Sequence, residues 1–175
     1  MKKKIFGALI ISVLALGLTG CGSKKTEYKT LKLKDEEKGY TTTMKYLKAD
    51  GYEVEKSEED NSVILLNDAE NFKITMNYEE TTNEEYEAKQ GRKLDRANYK
   101  EYEFGKYKGY AYSSDGSSNL KINVLLQEEK EDSKAVVLYM YIERIDSKKD
   151  TSVYSIFNGD DVQEILDTIK FSIKK

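Results

Sequence analysis

Few residues in this chain can do chemistry. It holds one cysteine, Cys21, and no histidine. Without imidazole there is no Ser-His-Asp or Cys-His site, no imidazole general base and no His-ligated zinc. Neither a Walker loop nor a dinucleotide fingerprint is present. Carboxylate pairs remain, at Glu79-Glu80, Glu84-Glu85 and Glu58-Glu59-Asp60. They have the groups for acid/base work or calcium, but their spacing matches no calcium loop. A chain in which 35% of residues are charged also produces such pairs as solvated turns. Two Ser-x-x-Lys spacings, Ser118 to Lys121 and Ser172 to Lys175, fall in strand-like sequence. Residues three apart on a strand face opposite ways, so chance accounts for both. The residues best suited to contact are tyrosines, which offer an apolar body and a polar tip at low entropy cost. Tyr99, Tyr102, Tyr107, Tyr110 and Tyr112 flank the small and polar run 113–119 and form a candidate recognition surface for an envelope protein or a cell-wall polymer. The alternative is that half of them are core. No metal and no cofactor are expected.

The surroundings of Cys21 give it a different role. Met1-Lys2-Lys3-Lys4 precedes an apolar run from Ile5 to Leu18, the charge order of a segment that enters a translocon with its N-terminus inside. As a helix that run covers ~21 Å, short of a ~30 Å hydrocarbon core, so a permanent span is not expected. Leu18-Thr19-Gly20-Cys21 is similar to the lipobox of bacterial lipoproteins. The resemblance implies recognition through Leu18, Thr19 and Gly20, diacylglycerol on the Cys21 sulfur, and cleavage before it. Residues 1–20 are then a signal peptide, 21–27 a lipidated flexible tether, and 28–175 a single domain. An ordinary signal with a free thiol at Cys21 is the alternative. One acyl chain holds a protein marginally and two hold it stably, so the expected location is the extracytoplasmic face of a cell membrane. The Lys-, Glu- and Tyr-rich composition is that of low-GC Gram-positive bacteria.

Cleavage removes three of the 29 basic residues and none of the 32 acidic ones, leaving a net charge of −6. That balance argues against nucleic acid as a partner. With no second cysteine, stability must come from packing. Lys24, Lys25, Lys29, Lys32 and Lys34 nevertheless make the membrane-proximal end locally basic. Near an anionic leaflet each adds ~1 kcal/mol of attraction. Lysines on the wet outer face of a strand are an equal alternative.

From Tyr28 the pattern is mostly period two, as in strands with one wet face. Leu31 and Leu33 alternate with lysines, and Tyr40 to Leu47 is rich in Thr and Tyr. A turn at Lys48-Ala49-Asp50-Gly51 precedes a strand from Tyr52 to Glu55. Val63 to Leu66 reads as buried on both faces, and Phe72, Ile74, Met76 and Tyr78 alternate with polar residues. These segments predict one antiparallel meander. Capping residues and early glutamates in Thr81 to Gln90 predict a short helix ending at Gly91. Two strand pieces follow, broken at Gly105 and Gly109. Leu120, Ile122, Val124 and Leu126 mark another strand, Gln127 to Lys134 a charged turn, and Ala135 to Ile145 the longest strand, at the sheet centre.

Val162, Ile165, Leu166 and Ile169 recur at i, i+3, i+4 and i+7, one stripe of a helix. Asp160 is its expected cap with Gln163 at N3. Thr151 to Phe157 predicts a further helical turn, and Phe171-Ser172-Ile173 returns to period two. The expected class is α+β: an antiparallel sheet of about six to eight strands with a long C-terminal helix packed on one face.

The strand pair joined at Asp50-Gly51-Tyr52, the mid-chain helix, the long central strand and the closing Ile165-Leu166-Asp167-Thr168-Ile169-Lys170-Phe171 resemble the PsbP-like α/β/α sandwich family. Its members share a scaffold rather than an activity, so the resemblance implies a fold and no catalysis. The resulting expectation is a membrane-anchored extracytoplasmic lipoprotein acting as a non-catalytic binding or interaction module. The alternative is an envelope hydrolase that uses paired carboxylates.

Overall fold

The computed structural model describes residues 27–57, 61–94, 99–113, 118–146 and 152–174. The chain is α+β, with ten strands in two antiparallel sheets among the described residues. The larger sheet holds β3 (Glu53–Lys56), β4 (Val63–Asn67), β5 (Phe72–Thr81), β6 (Lys100–Phe104), β7 (Tyr107–Tyr112), β8 (Asn119–Gln127) and β9 (Ala135–Arg144) in the order β3-β4-β5-β9-β8-β7-β6. The smaller holds β1 (Tyr28–Asp35), β2 (Tyr40–Leu47) and β10 (Lys170–Ile173) in the order β1-β2-β10. Among the described residues three α-helices join them: α1 (Asn83–Leu94), α2 (Val153–Phe157) and α3 (Asp160–Asp167). None of the helices among the described residues is long and apolar enough to cross a membrane.

Alternation decides the layers. Leu31, Leu33, Met44 and Tyr46 point from the small sheet onto Leu65, Ile74, Met76, Leu138 and Met140 of the large one. Val153, Phe157, Val162, Ile165, Leu166 and Ile169 from α2 and α3 close the same core. Full burial of each such side chain is worth ~1.5–3 kcal/mol. On the other face of the large sheet lies a smaller cluster of Tyr86, Tyr110, Tyr112 and Val137 under α1. β9 is flanked by three strands on each side, and Ala135 through Leu138 are all buried. An apolar run without polar alternation is what a strand covered on both faces requires.

Several expectations need correction. The first five strands are not one meander, because β1 and β2 leave the large sheet and are completed by β10 from the far end of the chain. The corner lies at Gly51, at φ 73°, where glycine bears no Cβ penalty. Buried Asn67 ties that corner down by donating from Nδ2 to the Asp50 carbonyl at 3.1 Å. The further helical turn expected over Thr151 to Phe157 is α2, and after Gly159 the expected C-terminal helix is α3, which is short, eight residues ending at Asp167. Asp160 is a residue of α3 rather than its cap, and Gly159, the N-cap, provides no side-chain bond. Gln163 turns back to donate to the Phe157 carbonyl at 2.5 Å. α1 runs through Gly91 to Leu94, and Gly109 lies within β7 rather than at a break. β9 shares its length of ten residues with β5. In β4, Ile64 and Leu66 are only half-buried.

Candidate functional site

The site begins with the way α1 is fastened. Thr82 Oγ1 accepts from the Glu85 N–H at 3.1 Å, and Glu85 Oε2 accepts from the Thr82 N–H at 3.3 Å and the Thr81 hydroxyl at 2.8 Å. This capping box satisfies donors that an open helix end leaves bare. Those bonds hold the Glu85 carboxyl below its ordinary 4.5. Asn83 exchanges bonds with Glu129, giving its N–H to Oε2 at 3.0 Å and accepting from the Glu129 N–H at 2.9 Å. Lys89 pairs with Glu79 of β5, and Lys93 stands 4.9 Å from the centre of the Tyr112 ring.

Only Tyr86 of α1 is buried. Its ring meets Tyr110 at 5.6 Å, while Tyr110 stacks on Tyr99 at 5.7 Å and Tyr112 at 6.0 Å. Burial pushes the Tyr86 and Tyr110 hydroxyls far above the tyrosine range. At the β6 edge, Gln90 Nε2 donates to Tyr99 Oη at 2.9 Å and Glu101 Oε1 at 2.8 Å, and the Tyr99 hydroxyl donates to Glu101 Oε1 at 3.0 Å.

Between α1 and strands β6 to β8 this leaves an open groove of about 590 Å³. Glu87, Glu101, Glu103 and Glu128 line it against a single lysine, Lys108, with Tyr86 and Tyr102 as its aromatic part. Four carboxylates in so small a space attract a cation, and Gln90 and Asn83 add amide donors and acceptors. Such a lining holds a ligand by charge and hydrogen bonds. Among the described residues no group of three or more His, Cys, Asp or Glu side chains could hold a metal ion.

The five tyrosines do not form one exposed surface. Tyr107, Tyr110 and Tyr112 are buried, and Tyr99 and Tyr102 half-buried. They also divide between two faces of the sheet. Tyr107 belongs to the main core, where its hydroxyl accepts from the Phe171 N–H at 3.0 Å. Tyr102 packs edge-on against Phe157 at 4.8 Å. Tyr99, Tyr110 and Tyr112 sit under α1 instead. Leu18, Thr19, Gly20 and Cys21 lie outside the described residues, as do Glu58-Glu59-Asp60 and most of the serine-rich run.

Neighbouring carboxylates diverge, as alternation requires. Glu79 goes to Lys89 under α1, whereas Glu80 turns to the small sheet, accepting from the Tyr40 hydroxyl at 2.7 Å and pairing with Lys38 at 3.0 Å. Glu85 is spent on the cap. Ser172 is a strand residue, and Lys175 is outside the described residues. Sequence reasoning missed Tyr86, Gln90, Glu101, Glu103 and Glu128 as groove residues. Part of the signal was readable, since Glu101 and Glu103 alternate with Tyr102 and Phe104. Comparison with family models, with curated proteins and with solved structures returns no match to this chain.

Proposed function

We propose that the protein is a lipid-anchored, extracytoplasmic binding module whose groove under α1 takes a cationic, hydrogen-bonding portion of an envelope protein or cell-wall polymer. The anchor rests on Leu18-Thr19-Gly20-Cys21 and the apolar run before it. The α/β/α sandwich resemblance belongs to the same proposal. The binding role is carried by one observation: four glutamates line an open groove opposed by one lysine. Burial of an unopposed carboxylate is costly, whereas a rim open to solvent leaves these groups hydrated and accessible to a cation.

Two measurements test the reading. Metabolic labelling with a fatty-acid probe should mark the protein and fail on Cys21→Ala. Titration with an oligolysine peptide at low salt should show binding that drops at least tenfold in Glu101→Gln/Glu103→Gln/Glu128→Gln, ~0.5–1 kcal/mol per charge. Labelling unchanged by the alanine, or peptide affinity unchanged by the glutamines, would refute the corresponding half.

A further inference from the structure

The small sheet carries a second charged surface, of opposite sign, on the side of the molecule away from α1. Its inward residues are Leu31, Leu33, Thr42, Met44, Tyr46 and Phe171, which face the core. Pairing then fixes what faces outward. Lys32 stands opposite Thr43, which stands opposite Lys170; Lys34 stands opposite Thr41 and then Ser172; Thr30 stands opposite Lys45. The four lysines are exposed, and no outward position of the three strands is acidic.

Only Lys34 has an ion pair on this face among the described residues, a 3.8 Å contact with the highly exposed Glu36. At the Tyr28 end, one row beyond Thr30 and Lys45, Glu164 accepts from the Tyr28 hydroxyl at 2.6 Å. Like charges across a sheet repel. Here they gather in a protein whose net charge is −3, and two of them, Lys45 and Lys170, come from strands far apart in sequence. Cationic and rich in hydroxyls, the face matches a surface of phosphate groups.

The anchor supplies that surface. The chain enters this sheet at Tyr28, next to Glu27, and the six peptide units back to Cys21 reach no more than about 22 Å. A Debye length is about 8 Å at physiological salt, and so short a tether keeps the domain where it can settle within that distance of an anionic leaflet. We propose that the outer face of the β1-β2-β10 sheet, through Lys32, Lys34, Lys45 and Lys170, docks on the anionic phospholipid surface to which Cys21 is anchored. The α1 groove is thereby turned away from the membrane. The docking rests on the anchoring proposed above.

The test uses the mature acylated chain in vesicles of phosphatidylglycerol or of phosphatidylcholine, with lysine acetylation read by mass spectrometry. On phosphatidylglycerol the four lysines should react about fivefold or more slowly than on phosphatidylcholine, while Lys108, in the groove, changes little. The protection should vanish at ~1 M salt, where screening falls to ~3 Å. Equal rates at the four lysines on both vesicles would overturn the docking. So would protection by dissolved poly(glycerol phosphate) without protection by phosphatidylglycerol, which would assign the face to a wall polyanion. The mass of the Cys21 peptide separates the two proposals: an unacylated Cys21 removes anchor and docking together, whereas an acylated Cys21 with unprotected lysines removes the docking alone.

Discussion

Two glycine-to-alanine changes should move stability in opposite directions. At Gly109 in β7, an added Cβ would stand 2.2 Å from the Asn123 carbonyl oxygen and 3.0 Å from Val124 Cα and Phe104 Cε2. Comfortable contacts lie near 3.5 Å, so the shortfall exceeds 1 Å, and the nearest atoms are backbone of the paired strand. Phe104, fully buried, has nowhere to retreat. Overpacking costs ~1–3 kcal/mol and a loosened ladder bond ~1 more, against ~0.7 regained through the unfolded chain. The net loss is about 1–3 kcal/mol, or ~3–12 °C in Tm for a domain of this size. At Gly91 in α1 an added Cβ meets nothing within 4 Å, and alanine should raise stability by ~0.5–1 kcal/mol. Thermal and urea unfolding by circular dichroism would measure both. If Gly109→Ala unfolds at the wild-type temperature, or Gly91→Ala falls with it, the placement of these glycines is wrong.

Alkaline pH should unfold the protein. Burial pushes Tyr40, Tyr52, Tyr78, Tyr139 and Tyr154 up to about 12 from the ordinary 10.0. The folded state therefore holds more protons between those values, and stability falls as pH rises through that window. Tyrosinate absorbance should rise together with loss of ellipticity, and a smooth titration near 10 with the fold intact would contradict the burial. At the acid end, the Tyr40 hydrogen bond and then Lys38 hold the Glu80 carboxyl below its ordinary 4.5. Its contribution is present above that value and lost as pH falls below it, so the Tm curves of wild type and Glu80→Gln should converge on acidification; parallel curves would count against the pairing. Glu85→Ala removes half of the capping box and should lower Tm, with faster amide exchange confined to the start of α1.

The sequence made individual strands readable because each has one wet face. Leu31 and Leu33, or Phe72, Ile74 and Met76, announce themselves by alternation, and the apolar run at Val136 to Met140 announces a covered centre. It could not say which sheet a strand joins. β2 and β3 are separated by a short turn, yet the turn is a corner between sheets, and the partner that completes β2 lies at Lys170. The stripe at Val162 to Ile169 was legible as apolar and helical, but its last member, Ile169, lies past the end of α3 at Asp167, so its periodicity overstated the helix. Tyrosines misled for a related reason: on a strand, Tyr107 and Tyr110 face opposite ways, and proximity in sequence gathered residues that the pleat separates. The groove was hidden because its glutamates come from α1, β6 and the turn after β8.

A net charge of −3 conceals a molecule with two poles. The acidic groove lies under α1 on one face of the large sheet, and the lysine rows lie on the far side of the small sheet packed against the other. Among the described residues the two share no residue and no hydrogen-bond partner. Sites so separated change free energy independently. Neutralising Glu101 and Glu103 should therefore weaken oligolysine binding while leaving the acetylation pattern of Lys32 and Lys170 intact, and glutamine at those lysines should leave oligolysine affinity in solution unchanged. Coupling between the two would mean that the charges act as one overall field rather than as two surfaces, and the assignment of separate partners to each would fail.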